Sequence, residues 1–152
     1  MPLLTEEPGS YILILYNPAP RQISVGQLGR HTFPRGWYAY VGSARGPGGL
    51  AARLARHLRR EKTTHWHIDY IRAHMQPVAI WYTTGPNKRE CDWANAFLNE
   101  PGVSIPMAGV GASDCHCPAH FFQIDHSPRL ADFNRVSEDT LQCLNLHTTH
   151  DP

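Results

Sequence analysis

The sequence predicts an α+β fold, a small and mainly antiparallel sheet flanked by helices. Three observations lead there. Runs rich in β-branched and aromatic residues, "SYILILY" at 10–16, "WYAYVG" at 37–42, "VAIWYTT" at 78–84 and "FFQI" at 121–124, read as strands. Between the second and third of these the apolar spacing becomes helical, with Leu50, Leu54 and Leu58 at every fourth position. Finally, 152 residues with 41% hydrophobic side chains suit one domain with an ordinary core.

In chain order, the first strand meets the turn "NPAPR" and then "QISV", a short strand able to pair back as a hairpin. "GQLGRHTFPRG" reads as a Gly/Pro-bearing loop, and "WYAYVG" as a third strand ended by Gly42. The helix from Gly49 to about Glu61 puts its leucines on one stripe and Arg53, Arg56, His57 and Arg60 on an adjoining one. Arg53 and His57 lie nearest the boundary between the stripes, so they belong at the edge of the core. "HWHIDYIRAHM" suggests a shorter helix that Pro77 stops. After the strand at 78–84, "GPNKRECDWANAFLNE" holds a turn and a helix, with Cys91, Ala94 and Leu98 on one face and Trp93 and Phe97 beside it. "PGVSIPMAGVGASDCHCPAH" is irregular, and "FFQI" reads as the last strand. Residues 9–125 form the domain on this reading. Residues 126–152, with weak helical spacing at Leu130, Phe133 and Val136, form a partly flexible C-terminal extension.

Fourteen Lys and Arg against thirteen Asp and Glu give a net charge of +1, so composition alone makes no case for nucleic acid. Any such case rests on how the charge is distributed. No apolar run reaches the ~18 residues that a membrane crossing needs. The start "MPLLTEEPGS" lacks the basic and apolar regions of a secretory leader. The four cysteines are irregularly spaced, which suits reduced thiols. A cytoplasmic protein with no membrane partner is the expectation.

"YVGSARGPGGLAARLARHLRR" at 40–60 joins a strand, a glycine-rich turn and an arginine-rich helix, a plausible place for a phosphate. It lacks the Lys-Ser/Thr ending of a nucleotide P-loop and is not GxGxxG, so nucleotide binding is poorly supported. Its plainer reading is a turn followed by a solvated basic helix face.

The rest of the chain supplies context. "GSYILIL" with Tyr11, "YVG" with Tyr40, then Arg53, His57 and a helix-opening Glu90 form an ordered set. That set resembles the GIY-YIG nuclease superfamily. "FPRGWYAYVGSA", "RHLRR", "HWHIDY" and "GVGASDCHCPAHFF" are similar to its Uri-type endonuclease-like branch, whose domains are sometimes fused to an endonuclease III repair glycosylase. The resemblance spans about residues 9–124. Tyr11 and Tyr40 stand 29 positions apart, wider than the usual short hairpin between these motifs, so "QLGRHTFPRG" must loop out.

The resemblance implies hydrolysis of phosphodiester bonds in DNA with one divalent metal, Mg²⁺ or Mn²⁺, in a repair setting and with a repair-protein partner. Glu90 would be the metal ligand, because Mg²⁺ takes few protein carboxylates and keeps its waters. Arg53 would meet charge developing on phosphate oxygens. Tyr11 is the implied general base, and a phenol of pKa ~10 needs help in that role. Tyr40 and His57 would orient water or shuttle the proton. Arg45, Arg56 and Arg60 are expected to contact the nucleic-acid backbone. Taken singly, each has an ordinary reading: core-edge aromatics, a surface arginine, a first-turn glutamate favoured by the helix dipole.

Two further groups carry metal-ligand chemistry. His65, His67 and Asp69 sit close together, but packing by Trp66 and Ile68 with histidines near the cleft is the favoured reading. Cys115, Cys117 and His120 are candidate zinc ligands, with Cys91 or a histidine as the fourth; C-x-C-x-x-H is not a standard finger spacing. Buried thiols with Asp114 in a turn are the alternative. Besides an endonuclease, the sequence therefore leaves open a non-cleaving nucleic-acid-binding module and a small zinc-stabilised interaction protein.

Overall fold

The computed structural model describes residues 5–59, 66–112, 115–137 and 139–146. The elements run β1 (Gly9–Asn17), β2 (Arg21–Ser24), β3 (Arg30–Phe33), β4 (Gly36–Ala44), α1 (Gly49–Leu58) and α2 (His67–Arg72). They continue with β5 (Gln76–Thr84), α3 (Glu90–Leu98), β6 (Val103–Ser104), β7 (Phe121–Ile124), α4 (Leu130–Ser137) and β8 (Gln142–Asn145). Six strands form one sheet in the order β6-β7-β4-β1-β5-β8, while β2 and β3 pair separately. Every pairing is antiparallel. The expected α+β class, a mainly antiparallel sheet flanked by helices, is what the chain forms. Among the described residues no helix is long and apolar enough to cross a membrane.

Strand alternation splits the core in two. Tyr11, Leu13 and Leu15 of β1 join Tyr38 and Tyr40 of β4 on one face, under Leu50 and Leu54 of α1, Ile68 and Ile71 of α2, and Ile23, Val25 and Phe33 of the β2–β3 hairpin. Ile12 and Ile14 face the other way with Val41 and Trp81, under Trp93, Ala94 and Phe97 of α3 and Phe133 of α4. Each fully buried Leu, Ile or Phe here contributes about 1.5–3 kcal/mol of transfer free energy. Both faces of the central strands are covered, which is why β1 reads as an unbroken apolar run.

The wide spacing between Tyr11 and Tyr40 is taken up by the β2–β3 hairpin. The stretch expected as a loop holds a 3-10 turn at Gly26–Leu28 and the strand β3. Residues after 125 do not stand apart as an extension. Phe133 is 1% exposed between α3 and the sheet, and β8 adds the sixth strand beside β5. The buried face of α3 also differs from expectation, since Leu98 is exposed and Trp93, Ala94 and Phe97 carry the packing. Aromatic bulk outweighs the i, i+3, i+7 stripe there, because two large rings bury more area than one leucine.

The glycine-rich turn before α1 is closed to a phosphate at its backbone. Leu50 N–H donates to Glu7 O at 3.0 Å, and Ala51 N–H donates to Thr5 O at 2.9 Å. The N-terminal segment thus takes the free amides that a helix start would offer an anion. Gly49 has φ +58°, and a Cβ there would strike the carbonyls of Glu6 and Glu7. Glycine is required at that position for both reasons.

Candidate functional site

The register of β1 against β4 sets Tyr11 opposite Gly42 and Leu13 opposite Tyr40. With no side chain on Gly42, the Tyr11 ring lies across it; a Cβ there would come within 2.5 Å of both Cζ and Oη. The ring thereby reaches α1, where the Tyr11 hydroxyl shares a hydrogen bond of 2.6 Å with His57 Nε2. Tyr11 and Tyr40 ring centres are 6.4 Å apart, and Tyr40 meets the His57 ring edge-on at 5.8 Å. His57 is fully buried, as its place at the boundary of the leucine stripe implies.

Arg53, one turn before His57, donates from Nη1 to Ser43 O at 3.0 Å and lies over the Trp66 ring at 4.4 Å. Arg56 lies over the same ring at 4.1 Å, so both guanidinium groups rest on the indole. Asp69, wholly buried, accepts both Arg56 forks at 2.8 Å and the Trp66 N–H at 2.8 Å. Trp66 and Asp69 thus orient the arginine face.

Burial holds the Tyr11 phenol well above its usual pKa, with neighbouring Tyr40 and Glu90 adding to this and Arg53 opposing it. Burial also pushes Tyr40 up to about 12, against the pull of Arg53 and with support from Asp69 and Glu90. Glu90 in the first turn of α3 therefore lies within electrostatic reach of both phenols. Its carboxylate makes no ion pair or side-chain hydrogen bond among the described residues. Tyr11, Tyr40, Arg53, His57 and Glu90 are brought to one end of the sheet.

The expected backbone contacts fare differently. Arg45 donates to Ser43 Oγ at 3.2 Å and to the carbonyls of Gly85 and Pro86, which holds the turn after β5. Arg56 is the partner of Asp69. Arg60, His65 and Asp114 lie outside the described residues. His67 Nδ1 accepts from Gly111 N–H at 3.2 Å, so its ring anchors the loop before β7.

Beside Glu90 stands a second constellation. The ligand atoms of Cys91, Cys115, Cys117 and His120 all lie within 4.8 Å of one another, and this group could hold a metal ion. His120 Nε2 is 3.3 Å from Cys115 Sγ and 3.9 Å from Cys91 Sγ. Burial pushes the Cys117 thiol up to about 12, with the Cys91 and Cys115 thiols adding to it. Burial lowers His120, against the charge of Glu90. Neutral imidazole is the form that ligates. Cys91 is distant in sequence and is one of two alternatives for the fourth ligand there; only the docking of α3 against the 115–120 loop decides for it.

No curated protein matches the chain significantly, and no solved structure does. Residues 10–142 match the profile of the family described as a domain of unknown function, DUF123, and the chain belongs to that family.

Proposed function

We propose that this protein is a metal-dependent endonuclease of the GIY-YIG kind, on its Uri-type branch, hydrolysing phosphodiester bonds in DNA. The observation that carries the reading is the meeting of Tyr11, Tyr40 and His57 with the charges of Arg53 and Glu90. Glu90, with no protein partner for its carboxylate among the described residues, suits a hard cation such as Mg²⁺ or Mn²⁺. A bound cation would neutralise phosphate charge and lower the pKa of a coordinated water.

The chain's own residues would do the rest. A buried phenol held above its usual pKa is not a ready-made base, so Tyr11 cannot act alone. In the tautomer with the proton on Nδ1, His57 Nε2 accepts the Tyr11 hydroxyl. Tyr11 then takes a proton from the attacking water while passing its own to His57, and no free phenolate forms. The water oxygen bonds to phosphorus as the bond to the sugar oxygen breaks. That leaving oxygen takes its proton from solvent. Arg53, oriented by Trp66, faces the phosphate oxygens as they gain charge.

Zinc is the metal we assign to Cys91, Cys115, Cys117 and His120. Three thiolates and an imidazole would fill the four positions that zinc usually takes and leave none for substrate, as in a structural site. A repair setting, a delivering partner protein and a cytoplasmic location complete the proposal.

One observation favours a second reading. Tyr11 is only 1% exposed, which suits a module that binds nucleic acid without cutting it. Incubation with nicked, flapped, branched and single-stranded DNA plus Mg²⁺ or Mn²⁺ separates the two. Cleavage by the parent, with loss of roughly 100-fold or more in Glu90→Gln, Arg53→Ala and Tyr11→Phe, is expected. Binding without cleavage selects the module, and variants that cut as fast as the parent overturn the mechanism.

A further inference from the structure

The net charge of +1 conceals two opposed halves. Between Glu7 and Glu61 the sequence carries eight arginines and no acidic residue, whereas from Glu90 onward it carries nine acidic residues and two arginines. The sheet sorts these halves by face. The first supplies α1 and the β2–β3 hairpin, which cover the side bearing Tyr11 and Tyr40. The second supplies α3 and α4 on the opposite side, while its 107–111 loop crosses to the first.

Ion pairing divides the two sides only in part, because Arg56 on the Tyr11 side is held by Asp69 and Arg129 on the acidic side forms no ion pair among the described residues. On the acidic side Arg89 bridges Asp92 at 3.2 Å and Asp139 at 2.8 Å, and Arg135 pairs with Asp132 at 2.5 Å. On the other side Arg21, Arg30 and Arg35 are exposed and form no ion pair among the described residues. All three belong to the hairpin or its exit.

The hairpin is a firmly seated platform. Ile23, Val25 and Phe33 are buried, Asn17 Nδ2 donates to Phe33 O and Pro34 O at 3.0 Å each, and the Tyr38 hydroxyl donates to Pro34 O at 2.6 Å. Pairing of Gln22 with Thr32 and of Ser24 with Arg30 puts these four side chains in one outward, exposed row. The row is cationic or neutral polar throughout. Leu28 at the hairpin tip packs on Gly109, and Gly111 two residues on abuts the Tyr40 ring. The hairpin tip thus reaches the Tyr40 ring through the 109–111 loop.

A two-stranded ribbon fits the groove of duplex DNA, whose dense phosphate charge draws unpaired arginines. We propose that the exposed surface of the β2–β3 hairpin, with Arg30 in its outward row and Arg21 and Arg35 at its entry and exit, is the docking surface for duplex DNA and leads its backbone toward the Tyr11–Tyr40 pair. The DNA itself rests on the functional reading above; the surface rests on the charge division and the hairpin.

The test is binding of a labelled duplex without added Mg²⁺, in the full chain carrying Glu90→Gln so that nothing is cut. Reversing Arg21, Arg30 and Arg35 to Glu should weaken binding by about 100-fold or more near 100 mM salt. It should also flatten the slope of log K against log salt by roughly 0.9 for each phosphate no longer neutralised. Replacement of the same three by Gln, with an unchanged melting curve, guards against misfolding and should move both readouts the same way. Arg129→Glu with Arg135→Glu on the acidic side should leave binding within about twofold. Equal binding by the hairpin variants overturns the surface but leaves the nuclease reading standing. An equal loss from the acidic-side pair shows bulk charge at work and overturns it too. A parent that cuts DNA yet shows no salt-dependent binding overturns the surface alone; one that neither cuts nor binds overturns both.

Discussion

Replacing Gly42 with Ala tests why the third residue of "YVG" is glycine. The added Cβ would lie 2.5 Å from Cζ and Oη of Tyr11, about 1 Å inside the favourable contact distance between carbon atoms. The ring is 1% exposed and bounded by Tyr40 and His57, so it cannot retreat without moving them. Overpacking of this kind costs about 1–3 kcal/mol. Shifting Oη by a similar distance also breaks its 2.6 Å bond to His57, leaving a buried nitrogen short of a partner at a further 1 kcal/mol or so. The expected loss is about 2–4 kcal/mol, or roughly 5–15 °C in melting temperature for a chain of this size. Urea unfolding reads the free energy directly. Leu at position 11 ends short of the Cζ position, so Gly42→Ala in a Tyr11→Leu background should cost less than about 0.5 kcal/mol, a strongly coupled pair. An equal cost in both backgrounds would refute the contact, and full stability of Gly42→Ala alone would refute the whole chain of reasoning.

Two more predictions follow from the titrating groups. Tyr11 and Tyr40 are held protonated in the fold above their unfolded pKa of ~10, so the unfolded chain gives up those protons first. Their contribution is complete below pH 10 and declines as pH rises from there, towards about 12 for Tyr40, at up to ~1.4 kcal/mol per pH unit for each group. Urea titrations at pH 8, 10 and 11 should show this decline, and Tyr40→Phe should flatten it; an identical slope in the variant would remove Tyr40 as its source. The purified protein should contain about one zinc per chain by elemental analysis. Co²⁺ in its place should give the visible absorption of a tetrahedral thiolate site, and Cys115→Ser or His120→Ala should abolish both. Full metal content in either variant would exclude those four residues as the ligand set.

The strands β1, β4, β5 and β7 and the leucine stripe of α1 were legible because burial on both faces, or on one helical stripe, leaves a periodic record. The edge strand β8 left none. Its burial pattern is exposed at Gln142, Cys143 and Asn145 with only Leu144 half-buried, so four polar-leaning residues look like a tail. β3 was hidden by the same cause, with only Phe33 buried. The cap on α1 was invisible for a different reason. The carbonyls of Thr5 and Glu7 do that work, and a main-chain acceptor has no residue type. Of the site, Tyr11, Tyr40, Arg53, His57 and Glu90 could be named in advance through their ordered resemblance, and Cys115, Cys117 and His120 through proximity in sequence. Their supports, Trp66 and Asp69, could not, because the meeting of Trp66 with Arg53 and Arg56 depends on how α2 crosses α1.

The two constellations are mechanically joined at the start of α3. Arg89 N–H donates to Ser10 Oγ at 3.1 Å, and the neighbours of that pair are Glu90 and Tyr11. That hydrogen bond between β1 and α3 therefore fixes the start of α3, with Glu90, beside the strand that carries Tyr11. Arg89 is held a second time through Asp139, which also accepts from Trp93 Nε1 at 2.7 Å. With a metal bound, Cys91 would hold the same turn a third time, toward the 115–120 loop, and it follows Glu90 directly. Successive helical residues are separated by about 100° around the axis, so fixing Cys91 on a metal fixes the direction of Glu90 as well. A helix start restrained by a strand and a C-terminal segment, and by the thiol cluster once a metal is bound, would have little rotation left. On that account the segment after residue 125, which reads in the sequence as a partly flexible extension, helps aim the one carboxylate that the proposed chemistry needs.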